Sequence, residues 1–229
     1  MKIIINQFRG LGDILFIVPI ARHYISKGYS VVWPVEEIYA DIGKHFPDIE
    51  FINKNHLKID YDRRDFYYHK DALVIPMRFS DSLMNVPYYL CMASKYMLVN
   101  LPRETWRTLT WTRDSEAEVR LRTTLNIKDG ERYNLVNNNF LTSFKGQSNI
   151  NPDNGLRNIY MSLIPGYTLL DWGKVIEQAE NIFTVGTSIN YMLEVMELHA
   201  KEIHLYPRIP HEYDFKNYDY LFVKPYTFH

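Results

Sequence analysis

The chain has 229 residues, 46% of them hydrophobic, and a formal net charge of −1. That is enough for one large domain or two small ones with a substantial core, and it provides no basic field of the kind that attracts nucleic acid. The single cysteine, Cys91, excludes an internal disulfide and suits a reducing compartment. No run approaches the roughly 20 apolar residues of a membrane span, and Ile3 to Ile5 is too short for a signal segment. The expectation is a soluble, cytoplasmic protein.

The first element, 2–8, is continuously apolar without alternation and reads as a buried parallel strand. Residues 13–27 read as a helix, with Ile14, Ile17, Val18, Ala21 and Ile25 on one face. Pro19 inside it predicts a kink or a late start, and Gly28 is a natural stop. A strand at 30–33, a short helix at 36–45 and strands at 49–52 and 72–76 follow. Residues 53–70 are polar and charged without a period and read as loop; 87–99 read as a buried helix. Near 101–131 the character changes, with Pro102, Trp106 and Trp111 ahead of a charged helix at 114–125. This marks a crossover between two halves, 1–110 and 111–229. The second half reads as strand 133–137, an Asn-, Ser- and Gly-rich loop 138–156, strand 157–163 and helix 171–180. Strand 181–185, a turn at 186–188, helix 189–200 and strands 202–206 and 220–223 complete it. Strands alternating with helices predict parallel sheets covered on both faces, with ligands at the carboxyl ends of the strands.

The run Arg9-Gly10-Leu11-Gly12-Asp13 is the first candidate for chemistry. Two glycines let the backbone turn tightly and approach a ligand, and a helix start exposes unpaired N–H groups. Asp13 either caps that helix or faces a cleft and takes a proton from a hydroxyl. Counting from Gly10, the third glycine of a dinucleotide fingerprint is replaced by Leu15, so a nicotinamide cofactor is weakly supported. Thr187 and Ser188 open a helix and read either as caps or as phosphate ligands. Asn137, Asn138 and Asn139 follow a strand and either bond sugar hydroxyls or satisfy a tight turn. Glu194, one to two turns into the last helix, reads as a surface glutamate or as a ribose contact. Asp60-Tyr61-Asp62 has the spacing of a metal–diphosphate triplet but lies among Arg63, Arg64 and Asp65, and a solvated loop is the better reading. The eight histidines show no paired zinc spacing, and no nucleophile elbow or P-loop is present. The 18 tyrosines suit a sugar-binding surface and equally a core.

The run RGLGDILFIVPIAR resembles the opening of bacterial ADP-heptose:lipopolysaccharide heptosyltransferases, which begin with a strand, a Gly-Asp pair, an apolar segment and a proline. LTWTRDSEAEVRLRTTL is similar to the linker and charged helix that lead into their second half, and LLDWGKVIEQAENIFTVGTSINYMLEVM to their donor-site segment. The resemblance implies an α/β chain of two small Rossmann-like parallel-sheet domains in the GT-B manner, facing a cleft. The first would be the acceptor side and the second the nucleotide-sugar donor side. It implies Asp13 as catalytic base, Thr187 and Ser188 at the donor phosphates, and Lys145 as a basic loop residue for phosphate or sugar. Asn137 and Glu194 would complete the donor side, and Arg9, Gly10 and Gly12 the loop near acceptor or phosphate. The chain departs from the pattern at Gly186, where the family usually has an acidic residue, and in its shortness.

The reading is therefore a glycosyltransferase, inverting and metal-independent, with no cofactor beyond its nucleotide-diphosphate sugar. It would act on a carbohydrate or glycolipid hydroxyl, which leaves peripheral membrane contact open. The alternatives are a non-catalytic nucleotide-sugar or glycan-binding module and a Rossmann NAD(P)-dependent oxidoreductase or epimerase.

Overall fold

A computed structural model describes residues 1–87, 90–141, 145–208 and 221–229, with the side chains of 141 and 145–147 outside that description. The chain divides into two units, Met1–Thr112 and Arg113–His229.

The first unit runs β1 (Lys2–Ile5), α1 (Leu11–Ser26), β2 (Ser30–Val35), a 3₁₀ helix (Glu37–His45), β3 (Glu50–Asn53), β4 (Tyr67–His69), β5 (Ala72–Ile75), α2 (Ser80–Met84) and α3 (Cys91–Leu98). A second 3₁₀ stretch, Arg103–Thr108, follows. The sheet order is β3-β2-β1-β5-β4, parallel except for β4, which pairs antiparallel with β5. β1 connects through α1 to β2 on one side while β5 lies on the other, so the topological switch point falls between β1 and β5.

Helix α1 continues through Pro19, and Ile14 to Ala21 are all buried, so it is covered nearly all round rather than on one stripe. Gly28 ends it at φ +84, the left-handed conformation. Tyr29 N–H bonds Tyr24 O at 3.1 Å and Gly28 N–H bonds Ile25 O at 2.9 Å, a Schellman closure. The segment 53–70, expected to be loop, holds a short 3₁₀ turn (Lys54–His56) and β4. The reason is packing: Ile52, Leu57, Ile59 and Tyr67 cover the sheet face formed by Ile4, Val32, Ala72 and Val74.

The second unit runs α4 (Ser115–Thr124), β6 (Tyr133–Asn137), β7 (Asn139–Leu141), β8 (Lys145–Gln147), β9 (Arg157–Tyr160), a 3₁₀ turn (Leu169–Trp172), α5 (Gly173–Glu177), β10 (Asn181–Val185), α6 (Ile189–Val195), β11 (Glu202–Tyr206) and β12 (Tyr226–Phe228). The main sheet is β12-β11-β10-β6-β9, parallel throughout. β6 leads out towards β9 and β10 leads out towards β11, which places this sheet's switch point between β6 and β10.

Several second-half expectations change. The loop at 138–156 contains the antiparallel pair β7–β8. Its base is tied by Asn138, whose amide exchanges hydrogen bonds of 3.0 Å with Ile150 O and Ile150 N, and Phe140 and Ile150 pack with Val136, Phe183 and Val185. The strand expected at 157–163 ends at Tyr160. The helix expected at 171–180 is a 3₁₀ turn capped by Thr168 and Asp171, followed by the short α5. The last helix stops at Val195 because the following segment is tied elsewhere, His199 N–H to Glu177 O and Lys201 N–H to Glu180 O. Of the strand expected at 220–223, residue 220 lies outside the described residues and 221–223 are not strand; the edge strand is β12.

Arg113 clasps Glu118 with hydrogen bonds of 2.7 and 2.6 Å and Glu177 at 2.9 Å. The Glu118 side chain is 3% exposed, so removing the guanidinium strands a buried carboxylate. Arg113→Met is expected to lower the unfolding free energy by about 2 kcal/mol, discounted because the arginine is one-third exposed. Urea denaturation at unchanged m-value measures this, and an unmoved midpoint would show the clasp to be inert.

Candidate functional site

In the first unit the chemistry gathers at the carboxyl end of β1, beside the switch point. Gly10 is the N-cap of α1 at φ 83, and its carbonyl accepts Ile14 N–H at 2.9 Å. This one glycine makes the turn. Gly12 lies inside the first helical turn, because α1 starts at Leu11, two residues before the expected start. A Cβ on Gly10 would stand 2.6 Å from Asp13 Oδ2, so the bare glycine also makes room for the carboxylate. With Gly10 at the cap, Asp13 is the third helical residue, and its carboxylate pairs with Lys95 Nζ at 3.0 Å. The Asp13 side chain is 36% exposed and that of Lys95 only 6%.

Lys95 comes from α3 and also donates to Gln7 Oε1 at 3.0 Å and to Met77 O at 3.2 Å. Gln7 in turn donates through Nε2 to Arg9 O at 2.7 Å, and its own carbonyl takes the Trp33 indole N–H at 2.9 Å. α3 is seated on α1 by the neighbour of Lys95: the Tyr96 hydroxyl donates to Phe16 O at 2.6 Å, and Phe16 meets the Tyr96 ring edge-on and lies against Trp106. Burial pushes the Tyr39 phenol up, opposed by its hydrogen bond with the Gly10 backbone and reinforced by the Glu36 and Asp13 charges.

Three cations surround the Phe8 ring at the same edge: Lys54 at 4.3 Å, Arg78 at 5.0 Å and Arg9 at 5.7 Å from its centroid. The Asp60-Tyr61-Asp62 triplet is a turn: Asp60 Oδ1 accepts the N–H groups of Asp62 and Arg63, and Asp62 pairs with Arg78 at 3.1 Å. Tyr61 O accepts the Asn6 amide at 3.1 Å, which fastens this turn over the end of β1.

In the second unit Asn137 and Thr184 are register partners on β6 and β10. The Asn137 Nδ2 donates to Thr184 Oγ1 at 3.1 Å and to Thr187 Oγ1 at 3.0 Å, joining the two strand ends at the switch point. Thr187 N–H is taken by Asn190 Oδ1 at 2.8 Å and Gly186 N–H by Tyr206 O at 3.1 Å. Ser188 occupies the N-cap of α6 but makes no side-chain cap bond, and Asn190 reaches back to the Thr187 N–H ahead of the helix. The N–H groups of Ser188 and Ile189 are without a partner among the described residues.

Glu194 is not a surface residue: it is 8% exposed, and its Oε2 accepts Val223 N–H at 3.1 Å. Burial first, and the adjacent Glu194 carboxylate second, push the Tyr226 phenol far above its ordinary value. Lys145 sits on β8 opposite Leu141, in a strand rather than a loop, and its side chain lies outside the described residues. Beside the carboxyl ends of β6 and β9, Asn138, Asn139, Asn149, Asn151, Ile150, Tyr160, Met161 and Ser162 line a pocket of about 540 Å³. None of these lining residues is charged.

Sequence reasoning singled out Asp13, Asn137 and the 187–188 pair; Lys95, Gln7 and Asn190, which bond them or their neighbours, it passed over. Lys95 did carry a signal, since it is the lone charge in the apolar run 87–99 and a buried ammonium needs a partner. Among the described residues no group of three or more His, Cys, Asp or Glu side chains converges as a metal site, and no helix is long and apolar enough to cross a membrane.

No protein-family model and no curated protein matches the chain. Solved structures do. The iron-containing dodecameric glycosyltransferase TibC from enterotoxigenic E. coli H10407 matches at TM-score 0.53 and 10% identity, over 90% of this chain and 59% of TibC. The heptosyltransferase TibC in complex with ADP-D-β-D-heptose matches at 0.51 and 12% identity, over 90% of this chain and 57% of that one. The fold is a heptosyltransferase-like GT-B fold. E. coli heptosyltransferase WaaC with ADP matches at TM-score 0.40 and 14% identity, over 90% and 87% of the two chains. This chain therefore spans less than two thirds of the length of TibC.

Gly10→Ala is expected to destabilise the protein by about 1 kcal/mol or more, from the positive φ and the collision with Asp13. Chemical denaturation reads the loss; an unchanged midpoint would mean that the turn relaxes freely. Burial pushes the Cys91 thiol up to about 11, partly offset by the Lys95 ammonium. It therefore stays a neutral thiol below that pH, and the folded protein should react with a disulfide reagent at about pH 8 at least about tenfold more slowly than the denatured chain. Equal rates would contradict the burial.

Proposed function

We propose that this chain is a glycosyltransferase that moves a sugar from a nucleotide-diphosphate donor to a carbohydrate or glycolipid hydroxyl with inversion. The observation that carries the reading is the Asp13 carboxylate, held by Lys95 at one oxygen and one-third exposed, on a GT-B-type fold. The acceptor hydroxyl gives its proton to Asp13 as its oxygen attacks the anomeric carbon. The bond from that carbon to the diphosphate oxygen breaks, and the electron pair leaves with the diphosphate. A single displacement of this kind inverts the anomeric centre. The leaving charge is met by the Ser188 and Ile189 N–H groups, the Thr187 and Ser188 hydroxyls and Lys145, without a metal. Asn137 aims the Thr187 hydroxyl, and Glu194 ties α6 to the returning 221–223 segment. The uncharged, asparagine-rich pocket beside β6 and β9 suits the hydroxyls of a sugar.

The same geometry speaks against the oxidoreductase reading. A dinucleotide pyrophosphate would rest on the start of the helix after β1, and here that position carries the Asp13 carboxylate, folded over Gly10.

Incubation with a panel of nucleotide-diphosphate sugars and glycan acceptors tests the proposal. Wild type is expected to form product, and Asp13→Asn to retain its fold and lose about 10²- to 10⁴-fold in kcat. A folded Asp13→Asn protein transferring at the wild-type rate would remove Asp13 from the mechanism. Donor binding by wild type without any product would favour the binding-module reading instead.

A further inference from the structure

We propose that Lys95 is the positioning residue of this site: its buried ammonium fixes Asp13 and the turn before it as one unit, without touching substrate. The inference rests on the base role proposed for Asp13. The Lys95 ammonium donates to Gln7 Oε1 at 3.0 Å and to Met77 O at 3.2 Å, and it makes an ion pair with Asp13 Oδ1 at 3.0 Å. The residue is 4% exposed, so its ammonium is closed off from a ligand. That burial separates Lys95 from a catalytic or phosphate-binding lysine, which presents its ammonium to the ligand.

The three partners come from three parts of the chain. Asp13 belongs to the start of α1, Gln7 to the segment leaving β1, and Met77 to the segment leaving β5. Lys95 therefore links both strands of the switch point to the helix that carries the carboxylate. Through Gln7 the link reaches Arg9 O, inside the turn itself. The lysine is held on its own side by Tyr96, whose hydroxyl is locked to Phe16 O. Holding Oδ1 leaves the second carboxylate oxygen, Oδ2, for a substrate proton, with the side chain confined to one orientation. An untethered, one-third exposed aspartate would sample several rotamers, and misplacement of a reacting group by about 1 Å costs on the order of a hundredfold in rate.

The experiment compares wild type, Asp13→Asn, Lys95→Met and the double variant in the transfer assay, with Lys95→Gln as the milder second variant. Lys95→Met or Lys95→Gln should lower kcat about tenfold to a hundredfold while the KM for donor and acceptor stays within about twofold. Adding Lys95→Met to Asp13→Asn should cost little more, because the lysine acts only through the carboxylate. A second readout does not need activity: the carbon-13 resonance of the Asp13 carboxyl, assigned by its loss in Asp13→Asn, should move in both lysine variants. Unchanged kcat in a folded lysine variant, a fully multiplicative loss in the double variant, or an unmoved resonance overturns the proposal. A wild type that transfers no sugar sinks the transferase reading alone, and the resonance then decides the tether by itself.

Discussion

A buried lysine with two hydrogen bonds and one ion pair organises the first unit. Burying an isolated ammonium is strongly unfavourable, so Lys95 can sit where it does only if the oxygens around it are present and correctly placed. Each of them constrains something else. Met77 O fixes the chain leaving β5, Gln7 fixes the turn after β1, and Asp13 fixes the first turn of α1. The Phe16, Tyr96 and Trp106 contacts hold α3 against α1 and so set the distance across which the ion pair forms. The polar site and the aromatic core beneath it are one construction. The apolar packing supplies the rigidity, and the ion pair uses it to hold a carboxylate in a single place.

Both units put their polar side chains at the same topological position. In the first sheet this is the carboxyl edge between β1 and β5, and in the second the carboxyl edge between β6 and β10. The two edges differ in chemistry. The first joins a carboxylate and an ammonium beneath a rim of Arg9, Lys54 and Arg78 around Phe8. The second is built of amides and hydroxyls, with Asn137 bridging Thr184 and Thr187, and an uncharged pocket beside it.

Much of this was legible in the chain. The strands at 133–137, 181–185 and 202–206 stand where their apolar runs place them, because buried parallel strands are written as short uninterrupted apolar segments. The Gly-Asp turn was legible because a positive φ and a helix start both leave residue-level marks. What stayed hidden depends on partners distant in sequence. The apolar residues scattered through 53–70 gain meaning only against the face of Ile4, Val32 and Val74. Asn138 looks like a turn residue until Ile150 comes back to meet it. Glu194 reads as a surface charge until the 221–223 segment returns over it. Lys95 joins Asp13 from 82 positions away (95 − 13), which no local pattern encodes.

The most direct measurement is a crystal structure of the chain soaked with a nucleoside diphosphate. The account predicts the diphosphate at the carboxyl end of β6 and β10, against Thr187, Ser188 and the free N–H groups there, with the Asp13 carboxylate left clear. A diphosphate seated instead on the start of α1 at Gly10 to Asp13, or no binding at saturating ligand, would contradict it.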